Sequence, residues 1–286
     1  MQTTKLNLHD KLPLTCTRTG TCCHGKNVNL NPWELVCLAK SKEISPRSFR
    51  DLYGEFGGIR LRFNGNPGWK SLSACSQYKE GLGCSVHLGR PLACRLYPLG
   101  RQKQNEEISY IYQGSAFPCL EGCPDVTNLP QLSVEAYLKD QAAEVFETTQ
   151  DEYLEVMQNL ADIAFVLLLE TDSAQKCEQT LKRWYEMGNE DPEILALYIG
   201  SEWIDRLMLP ELSNEINNPI DFAKQHNELL QMEAQHLFEK LRTIQDLHEA
   251  ACLFMGLALH LSRGLGANPS ELAEHWISTA KTHGAK

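Results

Sequence analysis

Cysteine is concentrated at one end of this chain, and no other feature constrains its fold as strongly. Nine of the 11 cysteines lie within the first 123 of 286 residues. Eight of the nine fall into three groups, which are Cys16/Cys22/Cys23, Cys75/Cys84/Cys94 and Cys119/Cys123. Thiols that several loops bring together either form disulfides or bind a thiophilic metal. The choice between these two kinds of cross-link decides which functions the chain can have.

The start of the chain argues against disulfides. Residues 1–10 contain no apolar run and no small-residue cleavage site, so nothing there directs export. The most apolar stretch, residues 163–169, is far shorter than the roughly 20 residues that cross a bilayer. We therefore expect a soluble, cytoplasmic protein without a membrane span. In a reducing compartment, a dense cysteine pattern favours a metal or redox site.

Charge divides the chain into two parts. Residues 1–130 carry 16 Lys and Arg against 10 Asp and Glu, a net +6, whereas the rest carries 11 against 27, or −16. We predict two domains, a cysteine-cluster metal-binding module at residues 1–130 and a helical domain at 131–286. The basic excess either offsets metal-bound thiolates or forms an ordinary mixed surface. The chain has no Lys/Arg run and no aromatic ladder, so a nucleic-acid partner is not expected.

The predicted fold class is mainly α, with an irregular cysteine-rich first module that contains short helices and a few strands. Asn31-Pro32 and Ser45-Pro46 each place an N-cap residue before a proline, which predicts two helices. Short strands are predicted at residues 59–63 and 108–112, and loops elsewhere. Because this module is poor in apolar periodicity, we expect bound metal to contribute on the order of 10 kcal/mol to its folding.

The second module is predicted to be an all-α bundle. Apolar residues at three- and four-residue steps predict one or two helices over residues 133–171. Further helices are predicted at residues 172–187, 191–209, 219–241, 245–262 and 268–281. Such a bundle would bury its core without help from metal. A groove between its helices is where a protein or peptide substrate would bind, and the acidic surface favours a basic peptide such as a lysine-bearing tail.

The spacing of the cysteines indicates more than one metal atom. Adjacent Cys22 and Cys23 point in different directions, so they suit two metals or two iron atoms better than one small tetrahedral site. The paired C-x2-C knuckles of a zinc ribbon are missing. Eight thiols fit two four-thiolate sites, or one iron–sulfur cluster, for example of the 4Fe-4S type, with a separate zinc. The predicted metal ligands are Cys16, Cys22, Cys23, Cys75, Cys84, Cys94, Cys119 and Cys123.

Three other residues near these groups need an interpretation. Cys37 falls inside the first predicted helix among apolar neighbours, so we predict that it is a core residue. His24 and His87 lie beside ligand cysteines. We interpret both as ordinary loop histidines, with replacement of one thiol ligand as the alternative.

The segment CSVHLGRPLACRLYP, residues 84–98, resembles the signature of the YkgJ-type cysteine-cluster proteins. That signature is a cysteine, an Arg-Pro pair, and then Cys-Arg-x-Tyr-Pro. Residues 16–23 resemble the family's C-x2-C-x2-C-C opening, except that Thr19 occupies the position of the second cysteine. We expect Cys119 or Cys123 to supply the missing thiol. The resemblance covers about residues 12–125 and implies a zinc- or iron-chelating domain.

The resemblance also implies an activity, because the same domain occurs in the flagellin lysine N-methylase. It suggests a protein-modifying transferase that uses S-adenosylmethionine and an iron–sulfur centre. No G-x-G-x-x-G loop follows a strand, so an ordinary nucleotide-fold methyltransferase domain is not expected. Arg90 and Arg95 lie beside the predicted thiolates in sequence and are interpreted as cofactor-binding residues that donate hydrogen bonds to sulfur and balance charge, or as binders of a substrate carboxylate. The alternative function is a non-enzymatic binding or adaptor module stapled by zinc.

Overall fold

The computed structural model describes residues 4–14, 20–104, 107–112, 130–169, 177–212 and 218–285. The chain is mainly α, as predicted, and it forms two compact units. The cysteine unit consists of Met1–Val28, Val36–Tyr53 and Leu61–Glu147. The helical unit consists of Asn29–Leu35, Gly54–Arg60 and Thr148–Lys286. A functional boundary near residue 130 stays a prediction, since the compact units are divided at other points of the chain.

Short elements make up the described part of the chain as far as residue 140. The helices are α1 (Pro32–Lys42), α2 (Pro46–Tyr53), α3 (Leu92–Leu96) and α4 (Val134–Asp140). The strands are β1 (Thr4–Leu6), β2 (Lys11–Leu12), β3 (Gly54–Glu55), β4 (Arg60–Leu61), β5 (Tyr78–Lys79), β6 (Gly83–Cys84), β7 (Leu99–Gln104), β8 (Glu107–Tyr112) and β9 (Leu132–Ser133). Single turns of 3-10 helix lie at Thr21–Cys23, Phe56–Gly58, Trp69–Ser71 and His87–Gly89.

An antiparallel sheet and an apolar cluster organise the cysteine unit. The sheet has the strand order β1-β8-β7, with Tyr110 opposite both Leu6 and Arg101. The cluster draws its side chains from several elements, and they are Leu14, Leu92, Leu96, Leu99, Tyr110, Val134, Tyr137, Ala143 and Phe146. Strand β8 confirms the strand predicted at 108–112. The strand predicted at 59–63 is reduced to the two residues of β4.

The two helix starts predicted in the first module are confirmed. Asn31 Oδ1 accepts a hydrogen bond from the Glu34 N–H at 2.9 Å, and Glu34 Oε2 accepts one from the Asn31 N–H at 3.0 Å. This reciprocal capping box satisfies two N–H groups at the start of α1. Ser45 Oγ accepts from the Ser48 N–H at 3.1 Å, which caps the start of α2 with a single hydrogen bond.

From residue 143 onward the described chain is helical. The helices are α5 (Ala143–Leu169), α6 (Glu178–Asn189), α7 (Pro192–Ile199), α8 (Ser201–Met208), α9 (Pro219–Phe238), α10 (Ile244–Gly264) and α11 (Pro269–Thr282). The segment predicted as one helix over 191–209 is divided at Gly200, whose φ of 86° and ψ of 152° interrupt a helix. Helix α10 is buried along most of its length. Among the described helices, none has the length and apolar character needed to span a membrane.

The helical unit contains two fully buried histidines. His226 Nδ1 accepts from the Tyr153 hydroxyl at 3.1 Å, and its Nε2–H donates to the Arg206 carbonyl at 3.0 Å. His260 Nε2–H donates to the Phe56 carbonyl at 3.1 Å. Burial lowers the pKa of His226 from 6.5 to about 4. Burial, with the positive charge of Arg263, lowers the pKa of His260 to about 3.

We expect the free energy of unfolding to fall as the pH decreases from 6.5 to 4. In this window the unfolded chain binds protons at both histidines and the folded chain does not, so acid favours unfolding by roughly 2–3 kcal/mol per histidine. Chemical denaturation of wild type and His226→Gln at pH 7 and pH 4.5 measures this dependence. The variant should lose less stability on acidification than wild type. His275→Gln, at an exposed position, is the matched control. Equal losses in wild type and His226→Gln would contradict the expectation.

Candidate metal centre

Five of the eight predicted ligand cysteines line one cavity in the cysteine unit. The cavity has a volume of about 140 Å³, and these five thiols are Cys22, Cys23, Cys75, Cys84 and Cys94. Cys16, Thr19, Cys119 and Cys123 lie outside the described residues. Within the described ranges, no three His, Cys, Asp or Glu side chains are arranged to hold a metal ion. The fold therefore brings Cys22 and Cys23 of the first group and the whole second group around a common space, and their assignment as ligands stays a prediction.

Backbone hydrogen bonds bring the first cysteine group to the second. Gly20 has a φ of 79° and contacts the Tyr78 ring so closely that a side chain would not fit. The turn that follows is closed by the Cys23 N–H, which donates to the Gly20 carbonyl at 2.8 Å. The Cys75 N–H then donates to the Cys23 carbonyl at 2.7 Å. Cysteines that are 52 positions apart in sequence are thus fixed side by side by main-chain atoms.

A hairpin and a short helix place the remaining two thiols. Strands β5 and β6 pair Tyr78 with Cys84, so that Cys84 returns to the segment that begins at Cys75. Cys94 lies in α3, where its N–H donates to the Pro91 carbonyl at 3.0 Å. Proline fixes its own φ and cannot donate, so Pro91 suits the start of this one-turn helix. The hairpin and the short helix are both local structures, and each places one thiol at the cavity wall.

The thiols of the cavity differ in acidity. A hydrogen bond from the Cys23 thiol, aided by the positive charges of Lys26 and Arg90, lowers the pKa of Cys22 from 9.0 to about 7 despite burial. The same hydrogen bond and burial raise the pKa of Cys23. Burial raises the pKa of Cys75 to about 11. Because a metal binds thiolates, it would have to displace protons from Cys23 and Cys75 at neutral pH.

Arg90 lies at the cavity wall, where its charge reaches Cys22. The residue is buried, and its guanidinium contacts the His87 ring nitrogen and the Gln141 Oε1. Its Nε has no hydrogen-bond partner among the described residues. Balancing the charge of several thiolates requires a cation close to them, and buried Arg90 lies in such a position. That role of Arg90 stays a prediction.

Arg95 uses its guanidinium differently from Arg90. It is buried, and its three nitrogen atoms donate to backbone carbonyls: Nε to Arg90 at 2.9 Å, Nη1 to Gln141 at 2.7 Å and Nη2 to Leu88 at 2.6 Å. The guanidinium also lies 4.0 Å from the centroid of the Phe146 ring. Arg95 is absent from the cavity wall as described. These contacts fix the path of the backbone that carries Arg90, and a hydrogen bond from Arg95 to sulfur stays a prediction.

The two histidines also occupy different places. His24 is buried outside the thiol cavity, with Nδ1 2.9 Å from the Gly20 carbonyl and its ring edge-on to Tyr78. His87 lines the cavity and contacts Arg90. Cys37 lies in α1 and packs against the apolar cluster of the cysteine unit, the position expected of a core residue.

Other polar residues of the cavity wall were not predicted. Lys26 and Tyr97 line the cavity together, with the Lys26 ammonium 4.7 Å from the centroid of the Tyr97 ring. Gln77 is buried at the wall, and its Oε1 has no partner in the described part of the chain. Tyr97 belongs to the Cys-Arg-x-Tyr-Pro signature, which is a signal that could have identified it. Lys26 and Gln77 carry no such signal in the sequence.

One family model matches the part of the chain that contains the cavity cysteines. Residues 15–111 match the CxxCxxCC model, described as "Putative zinc- or iron-chelating domain". The matched range contains Cys16 and all five cysteines of the cavity, and it ends before Cys119. No curated protein and no solved structure matches the chain. The match supports metal binding by this segment.

Proposed function

We propose that residues 15–111, the part of the chain that matches the CxxCxxCC model, bind an iron–sulfur centre in the thiol cavity. One observation carries the proposal: five thiols surround a single space of about 140 Å³. One water molecule needs only about 10–15 Å³ of such volume. A lone zinc ion contacts its thiolates directly at about 2.3 Å and leaves no comparable space between them. The cavity has room for a centre of several atoms.

The donor set fits this assignment. Thiolates are soft ligands that select iron–sulfur clusters, zinc or copper(I) over magnesium and calcium. Cys22, Cys23, Cys75, Cys84 and Cys94 would hold the centre, and Cys16, Cys119 and Cys123 stay predicted ligands. Bound clusters with thiolate ligands are anionic, so Lys26 and Arg90 at the same wall would offset their charge.

An iron–sulfur centre in this cavity would supply one-electron transfer or Lewis-acid chemistry. The residues of the chain would bind it, balance its charge and limit the access of water, since Cys75 and Arg90 are buried. The lysine-methylating activity and the S-adenosylmethionine cofactor stay predictions from the resemblance. A protein or peptide substrate in a groove of the helical unit stays a prediction from the helices and acidic charge of that unit.

Anaerobic purification, followed by analysis of iron, zinc and acid-labile sulfide, tests the proposal. We expect a brown, oxygen-sensitive protein with broad visible absorbance and with sulfide and iron in similar amounts. A colourless protein with stoichiometric zinc and no sulfide would exclude the cluster and favour the zinc-stapled module. A chain that retains neither metal, even after reconstitution with iron and sulfide, would exclude metal binding itself.

A further inference from the structure

Gln141 lies beyond the family match, yet it contacts both arginines of the signature. It is 6% exposed and follows α4 directly. Its Oε1 accepts from Arg90 Nη2, and its backbone carbonyl accepts from Arg95 Nη1 at 2.7 Å. Its Nε2 donates to Asp140 Oδ2 at 2.7 Å, and its N–H donates to the Tyr137 carbonyl at 2.9 Å. Every hydrogen-bonding group of this residue is used, which fixes both its backbone and its side chain.

The acceptor that Gln141 offers to Arg90 is neutral. A buried arginine usually pairs with a carboxylate, because an unpaired charge in a protein interior is costly. The partners of Arg90 within the described ranges are the His87 ring, the His87 carbonyl and the Gln141 amide. These groups hold the guanidinium through hydrogen bonds without cancelling its charge. In the part of the chain that the structure describes, no carboxylate contacts the guanidinium, so no direct ion pair there cancels the charge that Arg90 brings to the cavity wall.

We infer that Gln141 is a positioning residue that holds Arg90 as an unneutralised cation beside the thiols and so strengthens binding of an anionic metal–thiolate centre. The inference rests on the proposed metal binding. It assigns a role at the metal centre to a residue 30 positions beyond the end of the family match.

A second contact from the same turn supports this assignment. The hydroxyl of Tyr137, which is 1% exposed, donates to the Tyr97 carbonyl at 2.5 Å. Tyr97 lines the cavity and carries Lys26 over its ring. Residues 137 and 141 are one helical turn apart, so one short segment holds the parts of the wall that include Arg90 and Tyr97. The wall depends on this segment as well as on the cysteine loops.

The substitution Gln141→Glu tests whether the charge of Arg90, and not only its position, affects metal binding. Glutamate has the same length and still accepts from Arg90, but it neutralises the guanidinium. It also loses the Nε2 donor to Asp140, a loss that Gln141→Met shares and that Gln141→Met therefore controls for. We expect the affinity for Zn²⁺, measured by competition with a chromophoric chelator, to fall about tenfold. This is the lower end of the roughly 10- to 100-fold loss that follows from mutating residues that contact metal ligands rather than the metal itself. We also expect a lower midpoint reduction potential for the protein reconstituted with iron and sulfide. Gln131→Glu makes the same change at an exposed position and should match wild type in both measurements.

The outcomes distinguish this inference from the proposed function. If wild type binds metal and Gln141→Glu has unchanged affinity and potential, Gln141 does not act through the charge of Arg90 and the inference is wrong. If wild type binds no metal, the proposed function itself fails. Should Gln141→Glu not fold, Gln141→Met removes the acceptor without adding charge. It is expected to weaken Zn²⁺ binding, and wild-type affinity in that variant would overturn the inference.

Discussion

Replacing Cys94 or Cys22 with serine is expected to abolish metal binding and to unfold much of the cysteine unit. A hydroxyl is a poor ligand for a thiophilic metal, and these two thiols reach the cavity from separate segments. Bound structural metal contributes on the order of 10 kcal/mol to folding, which exceeds the net stability of many small domains. Metal content per chain and hydrogen exchange of residues 20–104 measure the two effects.

Cys177→Ser is the control for this experiment. Cys177 is fully buried beside the start of α6 in the helical unit, and residue 178 begins that helix. The variant is expected to keep the metal content of wild type and the exchange protection of the cysteine unit. Unaltered metal content in both Cys22→Ser and Cys94→Ser would show that the predicted ligand set is wrong.

Arg95→Met is expected to destabilise the cysteine unit by on the order of 4 kcal/mol, even without metal. The variant keeps an apolar side chain of similar length against Phe146 but leaves three backbone carbonyls without their donors. Each unsatisfied buried carbonyl costs about 1–3 kcal/mol. Chemical denaturation of the metal-free protein measures the loss. Arg95→Lys, which keeps the charge but has a single donor group, should recover only part of it.

Lys139→Met tests whether the loss of any cation in this unit has the same effect. Lys139 is exposed on α4, so its replacement should change stability by less than about 0.5 kcal/mol. If Arg95→Met were no less stable than Lys139→Met, the contacts of Arg95 with the backbone would not contribute to folding.

The helix starts could be predicted because their signals are local. Asn31, Asp191, Asn218 and Asn268 each precede a proline, and each caps a helix through its own side chain. Strand β7 was missed because its sequence, LGRQKQ, is mostly polar, and its strand conformation comes from pairing with β8. The break at Gly200 was missed because the apolar pattern continues on both sides of it.

The cysteines of the candidate site were predictable from their spacing in the sequence. The cysteine groups identified five residues that the fold gathers around one cavity. The contacts of Arg95 and the position of Gln141 were not predictable, since they join residues 46 and 51 positions apart through a backbone carbonyl and a neutral amide. Neither group has a periodic pattern or a recognisable motif. Spacing therefore indicated the candidate ligands, and only the fold identified which residues support the cavity that these cysteines line.

The alternation of the two units along the chain has a consequence for how the protein is made. The cysteine unit ends at Glu147, about 50 residues after Cys94, and two of its gaps belong to the helical unit. On the ribosome, the thiols of the cavity would emerge well before Tyr137 and Gln141, the residues that hold Tyr97 and Arg90. Domains generally fold as units during synthesis. Metal delivered to the growing chain would therefore encounter the thiols before Tyr137 and Gln141 have been synthesised. A fragment of the protein that ends at residue 130 would lack both of these residues.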